Sequence, residues 1–337
     1  MWKKNNPKMC GLFFCFLIVI LVSGCGGINF NLWPDRTKAL KERVLEGKGE
    51  GKVAIIPITG FISESPRKEL IGKAPSLVQE VVAQLRLAEK DPEVKAVVLK
   101  VASPGGTVTA SDLLYHEIMA FKERKKTKIV VMMMNTAASG GYYVSLPADV
   151  IYAHPTTITG SIGVIFLRPT VTTLMDKLGV TVEINKTGKN KDMGSPYRTA
   201  SPDEKEIFTG LIDKMGKRFL TLVSQHRKID QIQLSEAASA RIFLAEEALS
   251  LKLIDKIGYL PEALKEAKKQ AGLAENAKVV MYRRSASPDE NIYSVASPGE
   301  GTAKPSLIDL PLTDLFPTLQ PGFYYLWAPG LGGESGD

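Results

Sequence analysis

Lys128-Ile129-Val130-Val131-Met132-Met133-Met134-Asn135-Thr136-Ala137-Ala138-Ser139-Gly140-Gly141-Tyr142-Tyr143 is the stretch on which the reading of this chain turns. Its first seven residues form an apolar run of strand length, bounded by polar residues, and predict a buried strand. The small residues that follow suit a sharp turn into a helix, with Ser139 at the helix start. A serine so placed can act as a nucleophile, because the helix N-terminus and nearby backbone N–H groups favour a developing negative charge. Gly140 and Gly141 leave room for a substrate backbone. The same residues also describe a packed Gly/Ser turn without chemistry, so the rest of the chain has to decide.

Upstream, Val53-Ala54-Ile55-Ile56-Pro57-Ile58 reads as a strand whose proline argues for an edge or terminal position. Residues 75–90 carry Leu77, Val81, Val82, Leu85 and Ala88 at helical spacing, and Lys95 to Val101 reads as a strand. Ser103-Pro104-Gly105-Gly106 is a turn, and an amphipathic helix follows from about Thr109 to Lys126. Downstream, the pattern predicts a strand at 149–153, a helix near 170–178, a strand at 180–185, a polar loop from Lys186 to Thr199 and a long helix from Pro202 to about Lys228. Ser201 is the N-cap of that helix, with Glu204 in capping-box position. Strands alternating with helices of ten or more residues define an α/β architecture with crossover connections.

The 337 residues are 44% hydrophobic, enough to bury one large core or two modest ones. The balance of 43 basic and 36 acidic residues gives +7. The one tight basic cluster, at 122–126, ends a predicted helix, where cations complement the dipole, so no nucleic-acid partner is expected. No metal-ligand spacing, P-loop lysine or dinucleotide fingerprint is present, and no cofactor is expected.

Residues 1–24 read as an export signal: Lys3, Lys4 and Lys8 precede an uncharged apolar run from Gly11 to Val22 that is short for a membrane span. All three cysteines, Cys10, Cys15 and Cys25, lie in this N-terminal stretch, so the exported body has no internal disulfide or thiol chemistry. Residues 25–51 read as a tether with a weak helix signal at 37–47. From 284 onward Pro, Gly and Ser mark a linker, followed by the aromatic stretch Phe323-Tyr324-Tyr325-Leu326-Trp327. That stretch is expected to pack on the body or a neighbouring subunit; the other reading makes it a built-in ligand of the cleft.

A serine nucleophile needs a base. His116 and His226 read as helix-surface residues, whereas His154 sits at the exit of the 149–153 strand, where a Ser-His enzyme could use it. The rival is a lysine whose amine is kept neutral by burial, and the 186–199 loop offers Lys186, Lys189 and Lys191. The residues alone do not choose among these.

Taken together and in order, the motifs resemble the bacterial signal peptide peptidase A family, membrane-associated serine-lysine peptidases of the Clp protease and crotonase superfamily. The resemblance spans about Val53 to Arg283. It rests on Ser103-Pro104-Gly105-Gly106, on 137–143, on Thr159-Gly160-Ser161-Ile162-Gly163-Val164, on Lys191-Asp192 and on the closing segment 241–258. It implies a Clp protease/crotonase-like fold of repeated strand-strand-helix units in one catalytic domain at 52–283. It implies Ser139 as nucleophile, Lys191 as general base, Gly105 or Gly106 with Gly140 as oxyanion hole, and Ser161 in support. The implied substrates are cleaved signal peptides and similar extended apolar peptides. Val22-Ser23-Gly24-Cys25 resembles a lipobox, implying acylation of Cys25 and a membrane anchor. The single-copy length implies a ring, an octamer in which neighbouring subunits share each site. Lys100 and Ala102 depart from the family, which carries an arginine and an acidic or amide residue there. The alternatives are a non-catalytic membrane scaffold of the same fold, a Ser-His hydrolase using His154, and an acyl-CoA enzyme, which export disfavours.

Overall fold

A computed structural model of the protein describes residues 38–68, 73–284, 290–294 and 321–329. The export signal, Cys25, the tether up to residue 37 and most of the linker lie outside the described residues. In chain order the strands are β1 (Lys41–Glu46), β2 (Gly49–Thr59), β3 (Arg67–Lys68), β4 (Lys73–Ala74), β5 (Val94–Ser103), β6 (Gly105–Thr107), β7 (Lys128–Ala138), β8 (Val150–Ala153), β9 (Ile158–Gly160), β10 (Ile165–Leu167), β11 (Ile242–Leu244), β12 (Lys256–Ile257), β13 (Ala277–Arg283) and β14 (Gly322–Leu326). The helices are α1 (Leu77–Lys90), α2 (Val108–Lys125), α3 (Gly140–Tyr143), α4 (Thr172–Leu178), α5 (Pro202–His226), α6 (Gln231–Ala238), α7 (Ala245–Ser250) and α8 (Leu260–Gln270).

The main sheet runs β1-β13-β2-β5-β7-β8-β12, with β9 and β11 extending from the end of β7. From β13 to β12 every pairing along this path is parallel. Parallel strands are covered on both faces and read as near-continuous apolar runs, as β2, β5 and β7 do. Alternation sorts their side chains. Ile56, Ile58, Val97, Leu99, Val131 and Met133 face a core completed by α1, α2 and α5, whereas Val53, Ile55, Val98, Val130 and Met132 face α8.

Three expectations are corrected. Pro57 lies in β2, a central strand, not at an edge; the β13 ladder on β2 stops at Ile55, and beyond it β2 is paired only with β5, so the missing N–H breaks no ladder on the open side. The helix signal at 37–47 is overridden: Lys41–Glu46 is an exposed edge strand antiparallel to β13, so the body begins before Val53. Pairing with a ready strand outweighs a weak helical preference. Residues 180–185 form no strand, and Val180, Val182 and Ile184 are 50%, 46% and 40% exposed. A strand needs a partner, and among the described residues of this chain none pairs with them.

Candidate active site

The carboxyl ends of parallel strands are where α/β sheets hold their ligands. There β5 ends in Ser103, and β7 breaks after Ala138 into the single-turn helix α3. Ser139 makes the corner with φ 52° and ψ −114°, outside the regions open to residues with a Cβ. The corner is pinned because Ala138 pairs with Gly160 and the Ser139 N–H donates to the Gly160 carbonyl at 2.8 Å. Ser139 is 1% exposed, and its Oγ is buried without a hydrogen-bond partner. A strained corner carrying an unpaired buried hydroxyl makes Ser139 a candidate for a functional position.

The glycine loop lies against this corner. Gly105 has φ +108°, and a Cβ on it would fall 2.0 Å from the Tyr325 carbonyl oxygen and 2.8 Å from the Gly140 nitrogen. A Cβ on Gly140 would fall 2.5 Å from Ser111 Oγ and 3.1 Å from the Gly106 nitrogen. Only glycines permit this approach. The backbone nitrogens of Gly106 and Gly140 thereby become neighbours. The Gly105 N–H is engaged elsewhere, donating to Ser103 Oγ at 3.1 Å while that hydroxyl donates to the Gly60 carbonyl at 2.7 Å. Of the two expected loop donors, the hydrogen bonding leaves Gly106.

β14 fills the groove above the loop. It runs antiparallel between β6 and β10, pairing Tyr325 with Gly106, Leu326 with Gly105 and Phe323 with Phe166. The Trp327 N–H donates to the Pro104 carbonyl at 2.9 Å. Antiparallel hydrogen-bonded pairs alternate every two residues, so Tyr325 and Gly106 are the next such pair. The Tyr325 carbonyl therefore lies at the Gly106 N–H beside Gly140. The aromatic stretch packs on the body, as expected, and it does so inside the cleft.

Ser161 follows β9 directly, has φ 50° and is brought beside Ser139 by the β7–β9 pairing. Lys191 is exposed in the loop of turns before α5, and no hydrogen bond joins it to Ser139 Oγ. Its neighbours differ: Lys186 pairs with Asp192 and Lys189 with Asp203, which pushes the Lys189 amine up through that hydrogen bond. Lys191 alone of the three makes no ion pair among the described residues.

His154 interacts with Thr156 Oγ1 at 2.9 Å through Nδ1, and its ring meets Tyr259 edge-on; no bond joins it to Ser139. His116 is exposed, as expected. His226 is no surface residue: it is half-buried, its Nε2 lies 2.7 Å from Tyr115 Oη, and burial lowers its pKa. Lys100 sits away from the glycine loop, donating to the carbonyls of Ile292, Tyr293 and Ser294 at 3.2, 3.2 and 3.0 Å. Sequence reasoning missed the pocket around Tyr325 and the strand β10, whose signal was the three-residue apolar run Ile165-Phe166-Leu167.

Fold and corner define an α/β protein of the Clp protease type with a buried serine at the carboxyl end of its central strands. The Clp protease family model matches residues 73–156, and the peptidase family S49 model matches 121–274. A protein of Enterococcus faecium named as a signal peptide peptidase SppA is 32% identical over 81% of this chain and 82% of its own. The protease slr0021 of Synechocystis is 34% identical over 72% of this chain and 79% of its own. A solved ClpP1 variant from Listeria monocytogenes, 20% identical, aligns over 62% of this chain and 94% of its own with a TM-score of 0.41. The chain belongs to peptidase family S49, the signal peptide peptidase family.

Proposed function

We propose that the chain is a serine endopeptidase that cleaves extended apolar peptides, cleaved signal peptides among them. The observation that carries this reading is β14: an extended segment bound as a middle strand between β6 and β10, with one carbonyl at the Gly106 nitrogen, next to Gly140. A groove that adds a strand recognises peptide backbone, and pockets on alternate side chains supply selectivity.

In this reading Ser139 Oγ attacks the substrate carbonyl carbon, and its proton passes to the neutral amine of Lys191. The Gly106 and Gly140 N–H groups stabilise the oxyanion, a contribution of roughly 3–4 kcal/mol per donor in such sites. Collapse expels the amine product, which takes the proton from the Lys191 ammonium and leaves a Ser139 ester. Water, deprotonated by the same lysine, hydrolyses the ester. A lysine base works when it is desolvated, and Lys191 is exposed in the single chain, so its cover comes from outside that chain. A second copy fits, because the apolar residues Leu174, Leu178, Val180, Val182 and Ile184 flank the loop and lie exposed. We therefore assign a ring of copies, an octamer, with Ser139 and Lys191 contributed by neighbours and a lipid anchor through acylated Cys25.

The test combines labelling with turnover. A fluorophosphonate probe is expected to label wild type and not Ser139→Ala, and Lys191→Ala is expected to lose peptide cleavage while staying assembled. Full activity in Lys191→Ala with loss in His154→Ala would replace this reading with a Ser-His hydrolase. No labelling of wild type would leave a non-catalytic scaffold, and unchanged labelling in Ser139→Ala would move the nucleophile to another residue.

A further inference from the structure

Between residues 186 and 204 the chain carries four cations, Lys186, Lys189, Lys191 and Arg198, and three carboxylates, Asp192, Asp203 and Glu204. Their pairing is uneven. Lys189 takes Asp203, and Lys186 takes one oxygen of Asp192. Arg198 takes the other oxygen of Asp192 at 2.7 Å and also donates to both oxygens of Glu204. All three carboxylates are thereby engaged, and Lys191 is the cation left without one among the described residues. From the segment after β10, Arg168 donates to the carbonyls of Ser195 and Arg198 at 3.1 and 3.4 Å, which adds a cation and no acid.

Arg198 also holds backbone. Its Nη2 donates to the Asp192 carbonyl at 3.3 Å, and the same carbonyl accepts the Ser195 N–H at 3.0 Å. The Met193 N–H donates to the Asn190 carbonyl at 3.0 Å, closing a turn in which Lys191 and Asp192 are the central pair. At the other end of the fork, Glu204 is 2% exposed and accepts the Ser201 N–H at the start of α5. A buried, capped carboxylate therefore anchors the guanidinium, and the guanidinium holds Asp192 by side chain and carbonyl. The Asp192 side chain is 9% exposed, and its carboxyl is kept well below the usual range by Arg198 first and Lys186 second.

We propose that Arg198 is the positioning residue of the base: by tying Asp192 to Glu204 it fixes the turn that presents Lys191 and keeps the neighbouring carboxylate off the Lys191 amine. The inference rests on the peptidase reading above. A lysine base has to be neutral to accept the serine proton, and a free carboxylate within roughly 4–6 Å favours the charged form instead. Arginine suits this task because its planar fork reaches two carboxylates at once, which a single ammonium does not.

The experiment follows kcat/KM for an apolar peptide against pH in the full chain, with assembly checked by light scattering. In wild type the rate is expected to rise with pH as the base loses its proton. Arg198→Gln is expected to move that rise upward by about one pH unit, so that kcat/KM falls roughly 10-fold on its acid side and recovers at higher pH. Arg198→Lys is expected to move it in the same direction by less. Adding Asp192→Asn to Arg198→Gln is expected to return the rise to its wild-type position, because the carboxylate free to pair with Lys191 is gone. Ser201→Ala, which loosens the same helix start without freeing a carboxylate, is expected to leave the profile in place. A loss in Arg198→Gln that is equal at every pH, or one that Asp192→Asn does not reverse, overturns the inference and leaves the peptidase reading intact. Should Arg198→Gln not fold, Arg198→Lys carries the test, and an unmoved rise in it overturns the inference. No cleavage by wild type, or full activity in Lys191→Ala, overturns both.

Discussion

At Ser139 local cost and site geometry coincide. A positive φ on a residue with a Cβ costs on the order of 1–3 kcal/mol and persists only where surroundings impose it, here through the Gly160 carbonyl and the glycine loop. Its unpartnered hydroxyl adds desolvation cost. Ser139→Ala should therefore abolish turnover without lowering Tm, and a scanning calorimetry trace of the two proteins checks this. Lys100 shows a different balance. Burial first, and then Arg283, lower its pKa from 10.5 to about 8, so at neutral pH it is still an ammonium capping three carbonyls. Because the folded value is depressed, the unfolded chain binds more protons between about pH 8 and 10.5. The burial cost is fully present below that window and fades as pH rises through it. Urea midpoints of wild type relative to Lys100→Met should accordingly rise from about pH 8 to about 10.5 and stay flat below.

At the scale of elements, α5 carries much of the site's placement. Its start is fixed by a reciprocal box: Glu204 N–H donates to Ser201 Oγ at 3.3 Å, and Ser201 N–H donates to Glu204 Oε2 at 2.9 Å. Glu204 is held ionised, well below its usual range, chiefly by Arg198, which also grips Asp192 beside Lys191. The lysine loop is thus tied to the first turn of the helix whose later turns line the Tyr325 pocket. Ser201→Ala should cost about 1 kcal/mol, read as a lower urea midpoint at unchanged slope, with Lys191 retained in the loop. The strand order repeats the same lesson: β6 is three residues long, yet it is the edge strand that holds β14 against the glycine loop.

At the scale of the whole molecule, Ser139 is enclosed within the single chain, whereas Lys191 is exposed. An exposed row of Val180, Val182 and Ile184 with no partner among the described residues is a surface that another chain can cover. Val182→Asp should lower the mass seen by light scattering and reduce peptidase activity together. In a head-to-tail ring each site draws on two copies. Co-assembling Ser139→Ala with Lys191→Ala in equal amounts should then restore about a quarter of wild-type activity, since half the serines and half of their neighbouring lysines remain. No recovery on mixing would mean that each copy builds its own site.

Much of this was legible because it is encoded locally. Apolar runs made β2, β5 and β7 recognisable; Ser201, Pro202 and Glu204 announced α5; and Ser-Gly-Gly after a strand announced the corner at Ser139. Local signals failed where pairing decides. Lys41–Glu46 became a strand because β13 was there to receive it, and 180–185 stayed unpaired because no partner strand lies beside it among the described residues. Nothing near Tyr325 in sequence predicts Tyr143, Phe219 or Met215 as its neighbours, since they come from helices more than a hundred residues away. By itself, then, the sequence determined the α/β class, the serine at a strand-to-helix corner and the glycines that allow close approach, because periodicity and steric need are properties of neighbouring residues. The tertiary structure alone decided that Gly106, not Gly105, offers its N–H, and that the C-terminal aromatic strand lies in the cleft, because hydrogen-bond partners and pockets exist only once distant segments have packed together.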